Sequence, residues 1–339
     1  MSEPLNLDAP FVPGEPTPPP QPSALRKIFI GKDGLRAGWS LLIFFLMMAA
    51  IVLGIRFIAQ KLHRFRMPKP GEEIAPAFEL VNELIPFLAT FLVTWIMSKI
   101  ERRPNSVYGF GDSRRIPHFL AGLGWGVAFL SLLVFTLWST GLLLIDRRLL
   151  FGVDILRYGA IWLLGFLMVG LFEEYLTRGY MQYTLTRGLA GIYQCVFKTR
   201  HSKSLGFWTS ALIFSILFGL GHSGNPGESP IGELAAGLAG LVFCFSLWRS
   251  GSLWWAIGFH AAWDWSQSFL YGVADSGIMV RHHLLATHPV GKPVLSGGAT
   301  GPEGSVFVLV IFALVSVVIL LTLRRTQDRE PDAQSALLG

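Results

Sequence analysis

Three short patterns of ionisable residues, each set in apolar sequence, are the places where this chain could do chemistry. The first is Leu-Phe-Glu-Glu-Tyr-Leu-Thr-Arg, Leu171–Arg178, closing the apolar run Ile161–Leu171. A charge near hydrocarbon is costly and is kept for function or for a paired structural role. On a helix Glu174 and Arg178 are i,i+4 neighbours and can form an ion pair, whereas Glu173 projects about 100° away. The two carboxylates cannot share one job. Glu174 is expected to be neutralised by Arg178, leaving Glu173 free to face a cavity, where a carboxylate stripped of water is a better general base than one in solution. The alternative is a set of interfacial charges at the end of a span.

The second pattern is Phe-Gly-Leu-Gly-His, Phe218–His222, which ends another apolar run. Alone, His222 reads equally as a helix cap; Gly219 and Gly221 leave bare backbone for a neighbour or a substrate. The third is His-Ala-Ala-Trp-Asp, with His260 and Asp264 at i,i+4 spacing on one helix face. They sit mid-span, flanked by apolar sequence, where surface decoration is a poor explanation. Trp254, Trp255, Trp263 and Trp265 around them could wall a cavity or simply pack. His63, His201, His282, His283 and His288 have no helical spacing to a carboxylate and read as solvated loop residues.

The elements that must position these residues follow from composition. Hydrophobic residues make up 52% of the 339 and charged residues 15%, with mean hydropathy +0.49; soluble domains carry about a quarter charged residues. The expected fold class is all-α, a polytopic transmembrane helical bundle of about eight spans, each needing roughly 20 apolar residues. They fall near Ala37–Ile58, Phe78–Ile100, Phe119–Ile145, Tyr158–Tyr183, Phe207–His222, Ile231–Trp248, Ser252–Val273 and Ser305–Leu323. Residues 1–25, rich in proline, read as a disordered or polyproline II tail. Residues 26–157 form N-terminal transmembrane helices, 273–304 an extramembrane loop, 305–323 the last transmembrane helix and 324–339 a cytoplasmic tail. Cys195 and Cys244 imply no disulfide framework. The net charge of +6 lies in short loops between spans. That is a topogenic pattern and no nucleic-acid face, and it favours cytoplasmic N- and C-termini.

Together, Glu-Glu-x-x-x-Arg, Phe-x-x-x-His and His-x-x-x-Asp on successive intramembrane segments resemble the CAAX-protease and bacteriocin-processing (CPBP) intramembrane endopeptidases, a group that includes the type II CAAX prenyl endopeptidase. The resemblance covers the expected core, residues 158–272. It implies that Glu173 is the catalytic base activating water, that His222 is its partner in proton transfer, and that His260 and Asp264 stabilise the oxyanion. Glu174 and Arg178 complete the first motif and position it. Prenyl endopeptidases carry Asn where this chain has Asp264, and an ionised Asp cannot donate a hydrogen bond. It could serve if protonated, by orienting His260, or by helping to hold a metal.

The family is often labelled metalloprotease. Glu173, His222 and His260 would suit Zn²⁺ with a fourth site for water, but no His-Glu-x-x-His helix is present, and the metal-free version is preferred. The expected partners are the lipid bilayer and a membrane-anchored or membrane-embedded peptide substrate, in the cell (inner) membrane. The rivals are a transporter or channel passing protons or ions over the same charges, and a non-catalytic membrane scaffold.

Overall fold

In hydrocarbon every backbone N–H and C=O must be satisfied within the chain, so long apolar segments fold as helices. The computed structural model describes residues 28–31, 34–61 and 72–324. The expected proline-rich tail, His63 and the chain beyond Arg324 lie outside the described residues. Residues up to Arg36 are one unit, in which β1 (Ile30–Gly31) pairs antiparallel with β2 (Gly34–Leu35).

The larger unit starts at Ala37 and is a helical bundle. Its elements are α1 (Ala37–Lys61), α2 (Pro76–Ile100), α3 (Arg115–Ser139), β3 (Leu143–Arg148), α4 (Val153–Glu174) and a π-helical segment, Tyr175–Met181. There follow α5 (Gln182–Phe197), α6 (Ser202–Gly221), α7 (Pro230–Ser250), α8 (Trp254–Trp265) and a second π-helical segment, Ser266–Leu270. The order closes with β4 (Leu285–Pro289), α9 (Pro293–Ser296) and α10 (Phe307–Thr322). Among the described residues, six helices are long and apolar enough to cross a membrane: α1, α2, α3, the 45-residue run through α4 and α5, α6 and α7. The α8 helix and the 16-residue α10 occupy the remaining two expected spans. The chain is a polytopic helical membrane protein.

Two expected boundaries move. The third span stops at Ser139, and Gly141 at φ +71 turns the chain into β3, which pairs antiparallel with β4. The fourth is much longer than expected, running unbroken from Val153 to Phe197. The connection after α8 is bonded back onto the bundle: Trp162 Nε1 donates to Arg281 O at 2.9 Å and Ile74 N to Met279 O at 2.8 Å. His283, expected to be solvated, is instead buried, its Nδ1 2.8 Å from Val280 O, and His282 stacks on Tyr158. Their burial comes from this folding back, which loop composition does not reveal.

The helix carrying the third motif is held by a close crossing of α3 and α8. A Cβ on Gly122 would meet Trp255 O at 2.2 Å, and one on Gly258 would meet Phe119 O at 2.2 Å. Small residues permit such backbone approach between membrane helices, and backbone cannot give way to an added methyl. Gly258→Val is therefore expected to destabilise the bundle by about 1–3 kcal/mol or more, read as a lower unfolding temperature in detergent. Gly124→Ala, whose Cβ would meet nothing within 4 Å, should leave that temperature unchanged.

Candidate active site

The end of α4 carries both glutamates, and the structure separates their roles. Glu174 is fully buried and its Oε1 accepts from Arg178 Nη1 at 2.9 Å. Arg178 is itself buried, with its guanidinium over the Phe218 ring at 4.3 Å and near Phe243 at 5.6 Å. This cation–π seat ties α6 and α7 to the π segment. Thr177 joins the same knot, accepting from Arg178 Nη1 at 2.9 Å and donating to Glu173 O. On α7 the guanidinium lies against bare backbone, since a Cβ on Gly240 would come within 2.6 Å of Nη2.

Glu173 faces the other way, into a cavity of about 640 Å³ lined also by His222, His260 and Asp264. Its Oε2 lies 3.7 Å from His260 Nε2, and Asp264 Oδ2 lies 3.5 Å from the same nitrogen. The other ring nitrogen, Nδ1, is 3.0 Å from Glu174 Oε1 and donates to it, because an ionised carboxylate only accepts. His260 thus stands among three carboxylates, stacked on Phe243. His222 caps the end of α6, with Nδ1 2.7 Å from Phe218 O. A carbonyl can only accept, so Nδ1 carries the proton and, in the neutral ring, Nε2 keeps a free lone pair.

On hydropathy alone, Glu173 and His222 should differ in depth, but the hairpin of α5 and α6 removes that difficulty. Thr186 Oγ1 and Ser210 Oγ are 2.5 Å apart and mark one level. From 186 back to 173 is thirteen residues, and from 210 on to 222 is twelve, so at about 1.5 Å per residue the two side chains are roughly level. Gly219 is bare for a neighbour, α7, where its Cβ would meet Glu233 O at 2.5 Å. Gly221 lines the cavity. Of the four tryptophans only Trp263 does so; Trp255 is core, and Trp265 Nε1 donates to Gly159 O at 2.9 Å. Cys195 and Cys244 are both free thiols.

The structure adds four carboxylates that sequence reasoning passed over: Glu79 and Glu83 on α2, and Asp275 and Glu303 on the connection between α8 and α10, all lining the same cavity. Glu303 accepts from Ser276 N and Ser276 Oγ, and Ser268 Oγ donates to Asp275 Oδ2 at 3.4 Å. Burial first, then the neighbouring Glu303 and Glu79 charges, push the Asp275 carboxyl well above its usual range. The folded protein then binds this proton more tightly than the unfolded chain, so the stability it brings is full below the unfolded value, near 3.8, and is lost as pH rises through the folded one. Asp275→Asn cannot lose that proton. Its unfolding temperature, relative to the parent protein, is expected to climb as pH is raised from acid to neutral; a difference independent of pH would refute this.

The donor set was tested against a metal. Among the described residues no group of three or more His, Cys, Asp or Glu side chains could hold a metal ion. Zn²⁺ takes three protein ligands at catalytic sites, and Glu173, His222 and His260 are not arranged as such a set, so no step is derived through a metal.

A polytopic bundle with carboxylates and imidazoles turned into an internal cavity belongs to the class of membrane proteins that keep a polar site within the bilayer-spanning region. Within it, residues 155–266, about a third of the chain, match the model of the Rce1-like family, type II CAAX prenyl endopeptidase Rce1-like. The resemblance drawn from the three motifs is borne out over that stretch, which contains all of them. No curated protein and no solved structure matches the chain.

Proposed function

We propose that the protein is an intramembrane endopeptidase that hydrolyses a peptide bond in a membrane-associated substrate by a water molecule activated at Glu173. The observation that carries this reading is the division of labour at the end of α4. Glu174 is tied to Arg178 and His260, while Glu173 faces the cavity with only the 3.7 Å contact to His260. Water between Glu173 and a bound peptide carbonyl gives its proton to the carboxylate as its oxygen bonds to the carbonyl carbon. A doubly protonated His260 donates from Nδ1 to Glu174 and from Nε2 to the developing oxyanion, and Asp264 holds the ring by accepting. As the C–N bond breaks, the departing nitrogen takes its proton from Glu173, with His222 relaying through Nε2. The family match supports the CAAX-protease class, and loop charge supports cytoplasmic termini in the cell membrane.

The cavity's six carboxylates also favour a second reading, a pathway for cations. Purified protein in liposomes separates the two. A hydrolase yields peptide fragments, seen by mass spectrometry, that vanish with His222→Ala; a transporter yields ion flux and no fragment.

A further inference from the structure

A cavity between membrane helices that holds several carboxylates is unusual unless something positive balances them. Six carboxylates line this one, namely Glu79, Glu83, Glu173, Asp264, Asp275 and Glu303, and among the lining residues there is neither a lysine nor an arginine. The nearest cation, Arg178, is already committed to Glu174. The hydrogen-bond donors that reach the carboxylates are neutral: Asn82 Nδ2 on Glu83 at 2.7 Å, and the Ser268 and Ser276 hydroxyls on Asp275 and Glu303. Asp264 is 6% exposed, and its only polar contact is His260 Nε2 at 3.5 Å. Charges removed from water without a partner are strongly destabilising, so the site is built for a positive guest.

The carboxylates also form a path. Glu79 and Glu83 are one turn apart on the same face of α2, and both feel the charge of Glu173. Glu79 in turn faces Asp275, which faces Glu303. The opposite wall is apolar, with Phe172, Leu176, Phe214, Leu217 and Phe312 among its residues. A guest that fits both walls has an apolar run next to basic residues. An anionic chain end brought to the same place would meet like charge.

Resting on the endopeptidase reading, we infer that the substrate is a cationic membrane peptide, whose lysine or arginine side chains lie against Glu79, Glu83, Asp275 and Glu303 while the adjoining bond lies at Glu173. Affinity then depends on the sign of the charge beside the apolar run.

The test uses full-length protein in nanodiscs of phosphatidylcholine, a lipid without net charge, and three labelled synthetic peptides. They share one apolar run and carry beside it two lysines, two glutamines or two glutamates. Binding is read by fluorescence anisotropy on Glu173→Gln protein, which needs no turnover, and cleavage by mass spectrometry on the parent protein. The lysine peptide is expected to bind about tenfold tighter than the glutamine peptide, and the glutamate peptide weakest. Glu79→Gln/Glu83→Gln should shrink the lysine-to-glutamine ratio towards one, and Glu83→Lys should favour the glutamate peptide. Equal binding of all three by the parent site overturns the inference, as does a double variant that weakens the lysine and glutamine peptides alike. Because binding and cleavage are read separately, charge-selective binding without any cleavage would instead count against the endopeptidase reading alone.

Discussion

Glu173→Gln is expected to lower peptide-bond cleavage by about a thousandfold or more, since removing a general base forfeits roughly 10²–10⁴ in rate and this carboxylate also receives the proton from water. The protein should nevertheless insert and fold. The Glu173 side chain is 25% exposed to the cavity, and its one close polar contact, with His260, is long at 3.7 Å. Glutamine keeps the shape and removes only the basic oxygen. Product formation by mass spectrometry, alongside elution volume and unfolding temperature in detergent, reads both halves. Cleavage near the parent rate by a well-folded Glu173→Gln protein would end the mechanism proposed for this site.

Arg178→Met is expected to act in the opposite order, on stability first. It leaves Glu174 buried with its charge uncompensated, which costs about 3–5 kcal/mol when one partner of a buried pair is removed. It also vacates the seat over Phe218 and Phe243 that joins α6 and α7. Glu174→Gln/Arg178→Met removes both charges and should recover much of the lost unfolding temperature. If the single and double variants unfold at the same temperature, the pair does not act as a unit. Activity should stay low in both, because His260 Nδ1 loses its anionic acceptor.

The parts of the site that could be read from the chain share one property: a charge at i,i+4 spacing inside apolar sequence. That is why Glu174 with Arg178, and His260 with Asp264, gave the right pairings before any coordinates. Glu79 and Glu83 have the same spacing and the same apolar setting. They were missed because they stand near the start of a span, where charge is ordinarily interfacial. Asp275 and Glu303 carry no readable signal, since only the folding back of their connection onto Ile74 and Trp162 brings them to the cavity. His283 was misjudged for the same reason. The apparent mismatch in depth between Glu173 and His222 came from treating each span as a separate rod. The level set by Thr186 and Ser210 is a tertiary register, which hydropathy does not encode.

Both helices that bear the site widen directly beyond it, at Tyr175–Met181 and at Ser266–Leu270. A π turn accommodates one more residue than an α turn, so each segment fixes a count of residues as well as an identity. Deleting one residue between 175 and 181 would let the helix relax to ordinary pitch but rotate everything after it by about 100°. Tyr180 and Arg187 would then swing away from Glu101, which now takes a 3.1 Å bond from one and a 3.4 Å bond from the other. This part of the chain should therefore accept many exchanges of side chain and almost no change of length, a property that deletion scanning detects and alanine scanning overlooks.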